Sequence, residues 1–137
     1  MIKIISVVLF FIILFSTVNN KMQVSTIKTY NLHDPTYQEL KSFIEEDKTN
    51  ESIYSDNYNC YDFSSKLKTN AFNEGLRSYF VYIEFKLAAH GVVAFNTTDR
   101  GLIFIEPKND KEINVAVGAR MFSDVILKVG LIPWIEN

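Results

Sequence analysis

An α+β domain is the fold class this sequence predicts: a helix headed by Cys60 packed on an antiparallel β-sheet, preceded by an N-terminal hydrophobic segment. Three observations carry it. The first residues form an apolar run with a short basic start. Two segments with helix-start signals and helically spaced apolar residues follow. Short runs rich in aromatic and β-branched residues then succeed one another, with turn residues between them.

Residues 1–26 divide off first. Met1-Ile2-Lys3 is basic, and Ile4 to Val18 is broken only by Ser6 and Ser16-Thr17. That length is short for a membrane span and suits the core of an export signal. No Ala-x-Ala cleavage site follows, so the segment reads as a signal peptide or as an uncleaved N-terminal membrane anchor. Residues 27–137 then form one small domain, secreted or membrane-anchored, outside the cytoplasm.

Residues 27–34 read as an extended lead-in. In Asp34-Pro35-Thr36, Asp34 or Thr36 caps a helix whose first turn suits Pro35, with Glu39 three residues after Thr36. Tyr37, Leu40, Phe43 and Ile44 give that helix one apolar face to about Asp47. Glu45 to Asn59 is polar without periodicity and reads as an exposed loop. A second helix runs from about Cys60 to Glu74, capped by Asn59 and stopped by Gly75. Cys60, Phe63, Leu67 and Ala71 share one face of it.

Strands are expected over Tyr79 to Leu87, His90 to Asn96, Gly101 to Glu106 and Ile113 to Val117. Val125 to Ile135, with Gly130 and Pro133, reads as an edge strand or an extended tail. Thr97 to Arg100 before Gly101 supplies a hairpin turn. A turn centred on Thr98 sets His90 directly opposite Glu106, Val92 opposite Phe104 and Ala94 opposite Leu102. Opposed side chains lie on one face, about 5 Å apart.

Net charge is −2 with acids and bases interspersed, which argues against nucleic acid as a partner. Eleven Phe and seven Tyr argue against disorder. The single cysteine, Cys60, excludes an internal disulfide. It is therefore buried and inert, paired between chains, or kept for chemistry. Asn50-Glu51-Ser52 and Asn96-Thr97-Thr98 fit the N-glycosylation pattern. Phosphate loops, dinucleotide-binding glycines and serine elbows are absent.

A thiol, an imidazole and a carboxylate follow one another as Cys60, His90 and Glu106. In that order they could supply a nucleophile, its base and the group that orients the base. A helix N-terminus and a nearby imidazolium both favour the thiolate. The free N–H groups there can hold an oxyanion, with Asn59 as a further donor. The blander readings are a core thiol, a half-buried strand histidine and a solvated strand-end carboxylate. A zinc site would have only three ligands where a structural site wants four. His33, one residue before a helix cap, reads as surface.

The stretch from about Tyr58 to Asp110 resembles the core of the transglutaminase-like superfamily of papain-related cysteine enzymes, and its flanks are like those of exported microbial members. The resemblance rests on Cys60 at a helix head, His90 in His90-Gly91-Val92 and Glu106 in Ile105-Glu106-Pro107. The family's usual Asp is replaced by Glu106, and its His-Ala-aromatic by His90-Gly91-Val92. The resemblance implies a catalytic triad of Cys60, His90 and Glu106. It implies acyl transfer or hydrolysis at peptide or side-chain amides of a peptide or protein substrate, through a thioester on Cys60. No cofactor is implied. The alternative is an inactive exported binding or structural domain of the same fold, and a Cys60-linked dimer is a third reading.

Overall fold

The computed structural model describes residues 31–133. The expected signal or anchor at residues 1–26 lies outside them. Helix α1 spans Tyr37–Glu46, and a 3-10 turn follows at Thr49–Glu51. Helix α2 spans Cys60–Asn73. Seven strands come after it: β1 Tyr79–Glu84, β2 Ala89–Thr97, β3 Gly101–Glu106, β4 Lys111–Ile113, β5 Arg120–Met121, β6 Asp124–Val125 and β7 Lys128–Ile132. Five of them form one antiparallel sheet in the order β4-β3-β2-β1-β7, while β5 and β6 make a separate ribbon.

Local chemistry explains both helices. Thr36 caps α1 in a capping box with Glu39, each side chain taking the other residue's backbone N–H. Asn59 caps α2 by accepting the Tyr61 N–H, while the Asp62 carboxylate accepts the N–H of Asn59 at 2.8 Å. At the far end of α2, Gly75 takes φ +79. Gly75 N–H then reaches Phe72 O and Leu76 N–H reaches Ala71 O, satisfying carbonyls the helix leaves open. The chain before α1 is tied to this exit, with Arg77 on Asp34 at 2.8 Å.

Strand β2 is the centre of the molecule, and Gly91 to Phe95 along it are all buried. Its side chains alternate between two cores. Val93 and Phe95 meet Leu40, Ile44, Leu67 and Ala71 of the helices. Val92 and Ala94 meet Val81, Ile83, Phe85, Val115 and Ile126. The second core is closed by the arm from residue 114 to 127, which folds back on itself through Gly118 N–H to Ile126 O and Ile126 N–H to Ala119 O.

This arrangement corrects the expected fold class. The Cys-headed helix on an antiparallel sheet is present, but not as a papain-like core: the molecule is mostly antiparallel sheet, with two short helices on one face and a chain arm on the other. The arm was not foreseen because its strands are two residues long and its apolar residues lack a sustained period. The fourth strand is Lys111–Ile113, not Ile113 to Val117, whose Val115 instead fills the arm-side core. Val125 to Ile135 divides between the ribbon and the edge strand β7. Glu45 to Asn59 is not a simple exposed loop: Asp47 and Thr49 are buried, and Asp47 binds the Thr49 N–H and the Asn70 amide.

The hairpin register also differs. Thr97 pairs with Gly101, Ala94 with Phe104 and Val93 with Ile105, two residues off the expected ladder. The loop is therefore Thr98 to Arg100, closed by the Thr97 hydroxyl on Arg100 N–H and Gly101 O. A slip of two, unlike a slip of one, leaves each side chain on its own face.

Candidate functional site

Several segments meet around a cavity of about 480 Å³ at one end of the sheet. Its lining includes Cys60 from the head of α2, His90 from β2 and Glu106 from the end of β3. Tyr54, Lys108, Asn109 and Phe122 reach it from loops. The structure thus brings all three sequence-selected residues to one cavity, and Asn59 is engaged as the cap behind them.

His90 Nε2 lies 2.6 Å from Glu106 Oε2, and both side chains are nearly buried. The two are not directly opposed. Extending the observed register by one pair sets Glu106 beside Val92, so His90 is its diagonal neighbour, still within reach on the same face. The second Glu106 oxygen accepts the Lys108 N–H at 3.4 Å. His33, by contrast, is exposed beside Glu39, far along the chain and outside the cavity.

The thiol reaches the cavity from the other side of β2. A Cβ at Gly91 would lie 3.3 Å from Cys60 O, 3.3 Å from Ser64 Oγ and 3.0 Å from Phe80 Cζ. Gly91 therefore lets β2 run against the first turn of α2. By the alternation of the strand, Gly91 faces the helices and His90 faces the arm. Cys60 is in no disulfide and is half-buried, and no hydrogen bond joins its sulfur to His90. Among the described residues, no three His, Cys, Asp or Glu side chains are grouped so as to hold a metal ion.

Aromatic rings frame the opening. Tyr54 stacks on Phe63 at 6.2 Å, and the Lys108 ammonium lies 4.8 Å over the Tyr54 ring. Phe122 meets the His90 ring edge-on at 5.3 Å and Phe85 at 6.3 Å, yet is 75% exposed. It is the first residue of the two-residue loop between β5 and β6, and its φ is +56. That position of a hairpin loop prefers glycine. A phenylalanine there stores strain of about 1–2 kcal/mol.

Sequence reasoning missed Tyr54, Lys108, Asn109 and Phe122. The turn residues of Pro107-Lys108-Asn109-Asp110 could have flagged two of them. In Met121-Phe122-Ser123-Asp124, Ser123 and Asp124 are turn residues, but nothing marks Phe122 as the one with positive φ.

No family model and no curated protein matches the chain. Solved structures do resemble it. One is a Polyporus squamosus lectin bound to the human-type influenza-binding epitope Neu5Aca2-6Galb1-4GlcNAc, 18% identical, with a TM-score of 0.52. That match covers 60% of this chain and 34% of the lectin chain. Another, described as a PSL1a–E64 complex, is 19% identical with a TM-score of 0.49, over 56% of this chain and 33% of that one. The chain thus spans about a third of the length of the chains it resembles.

These findings correct the transglutaminase-like reading and the cysteine hydrolase activity and catalytic triad drawn from it. The backbone likeness is to a third of a chain named as a lectin, and no model of a cysteine-enzyme family matches. The physical reason is the low information content of the signature. Any hairpin of this length can bring a histidine and a carboxylate together, and any capped helix can begin with cysteine. Nothing in three spaced residues reveals the arm on the sheet's second face.

Proposed function

We propose that this is a binding domain, acting outside the cytoplasm, whose cavity takes a hydroxyl-rich ligand, a saccharide. The single observation that carries the reading is Phe122: a large apolar side chain, mostly exposed, held at a backbone angle that costs the fold free energy. Strain of this kind marks a functional position when nothing local requires the residue. The ring offers an apolar face for the C–H side of a sugar, as amphipathic ligands require. The His90–Glu106 pair and Asn109 offer hydrogen-bonding groups at the same cavity. Cys60, His90 and Glu106 are in this reading residues that line the ligand's seat. The glycan described with the Polyporus squamosus lectin gives the class of ligand to try first. Residues 1–26 would deliver or tether the domain 27–137.

The test is a glycan panel on the full chain in mild detergent, beside Phe122→Gly. Wild type binds a subset of glycans. The variant loses about tenfold or more in affinity, while its melting temperature rises because glycine relieves about 1 kcal/mol of strain. No binding to any glycan sinks the proposal. So does rapid alkylation of Cys60 persisting to about pH 6 and abolished by His90→Ala, since a free thiol titrates near about 8.5.

A further inference from the structure

We propose that the ligand of this cavity carries a carboxylate and that Lys108 holds it, an inference that rests on the saccharide reading above. Lys108 lines the cavity, and its ammonium is placed over the Tyr54 ring rather than on an acid. Among the described residues, no carboxylate lies within ion-pair distance of it; other surface cations are unpaired too, and what sets Lys108 apart is its place on the cavity wall. Of the two acids nearest in sequence, Glu106 has its oxygens engaged by His90 and the Lys108 backbone N–H, and Asp110 is bound to Asn50, with no ion pair from either to Lys108. The ammonium is thus left for a group that enters from outside.

The start of α2, where Cys60 lines the wall, adds no free positive pole: Asn59 caps the Tyr61 N–H, and the Asp62 carboxylate sits on the same turn. Between the Lys108 ammonium and the Phe122 ring, both on the cavity wall, a sugar with one acidic substituent is better matched than a neutral one. The sugar's apolar side rests on Phe122, and its carboxylate reaches the Lys108 ammonium as a charge-assisted hydrogen bond. Lys108 is exposed, so replacing it leaves the fold in place.

The experiment compares methyl glycosides of glucose and galactose with those of glucuronic and galacturonic acid on the full chain, by ligand-observed NMR. The acids bind about tenfold better than their neutral partners. That preference shrinks several-fold when sodium chloride is raised to about 0.5 M. Lys108→Met brings the acid-to-neutral ratio close to one, and Lys108→Arg keeps most of it. Equal binding of acids and neutral glycosides overturns this inference and leaves the saccharide reading standing. A preference that survives Lys108→Met overturns the assignment to Lys108. No binding by any of the four overturns this inference, while the saccharide reading stands or falls by the glycan panel.

Discussion

The two faces of the central sheet are built from different materials. On the helix side, Leu40, Leu67, Ala71, Val93, Phe95 and Ile105 are shut away under two capped helices. On the arm side, Val92, Ala94, Val115 and Ile126 are as well buried, but their cover is a ribbon of two-residue strands. The arm side also carries, at its margin, the strained Phe122 and the His90–Glu106 pair. Stability thus concentrates where regular elements pack, and the costly features sit where a short ribbon can bear them. Strand β2 belongs to both faces, which is how a helix head and a strained ribbon come to share one cavity.

Breaking the helix side has the largest effect. Leu67→Ala removes a side chain with no exposure from between rigid elements, and is expected to cost about 3 kcal/mol. Ile126→Ala, equally buried on the arm side, is expected to cost nearer about 2 kcal/mol, because the ribbon can settle into the space. Urea unfolding of both variants measures the contrast. Equal losses would remove the distinction between the faces.

Gly91→Ala probes the seam where the faces meet. The new methyl would press on Cys60 O, which is backbone, and on Phe80, which is already stacked on Tyr61 at 5.9 Å. Little there can move without shifting the head of α2. A loss of about 1–2 kcal/mol is expected, with glycan affinity falling beside it as the Cys60 wall of the cavity is displaced. A variant that is destabilised yet binds normally would show that the head of α2 is no part of the ligand's seat.

How much of this was legible beforehand follows from the range of the forces involved. Thr36 with Glu39, and Asn59 with Asp62 and Gly75, announce helix ends because capping is local chemistry. Gly101 to Glu106 declares itself by aromatic and β-branched residues between turns. The same alternation places His90 and Glu106 on one face even though the register is two residues off, since parity survives a slip of two. The arm was not legible. Val115, Met121 and Ile126 have no period, and what holds them is the apolar face of β1 and β2, far away in sequence. The cavity's rings were lost with it: Phe122 acquires its role only from a positive φ that no neighbouring residue type foretells.

The smallest expected effect lies where the turn after β3 meets the 3-10 turn. Asp110 has φ +58 and accepts the side-chain N–H of Asn50, while its other oxygen is buried without a partner. Burial pushes its carboxyl above the ordinary range. The charge of Asp47 adds to this, and Lys48, itself paired with Glu51, opposes it. A carboxyl raised in the folded state favours folding while protonated. Its contribution is full below the ordinary value of 3.8 and is lost as pH rises through the raised one. Asparagine cannot ionise, still accepts from Asn50, and tolerates the left-handed backbone. Asp110→Asn is therefore expected to match wild type near about pH 3.5 and to gain stability above it. The gain stays below about 1 kcal/mol because solvent at the rim screens the charge. Urea midpoints across the pH range test the sign. The same turn carries Lys108 and Asn109 into the cavity, so a gain in stability at neutral pH that leaves glycan binding intact would place the burden of Asp110 on the scaffold. An advantage that instead grew as pH fell would mean that the Asp110 carboxylate is favoured in the fold, held by a cation that the geometry of Asp47, Lys48 and Asn50 does not supply.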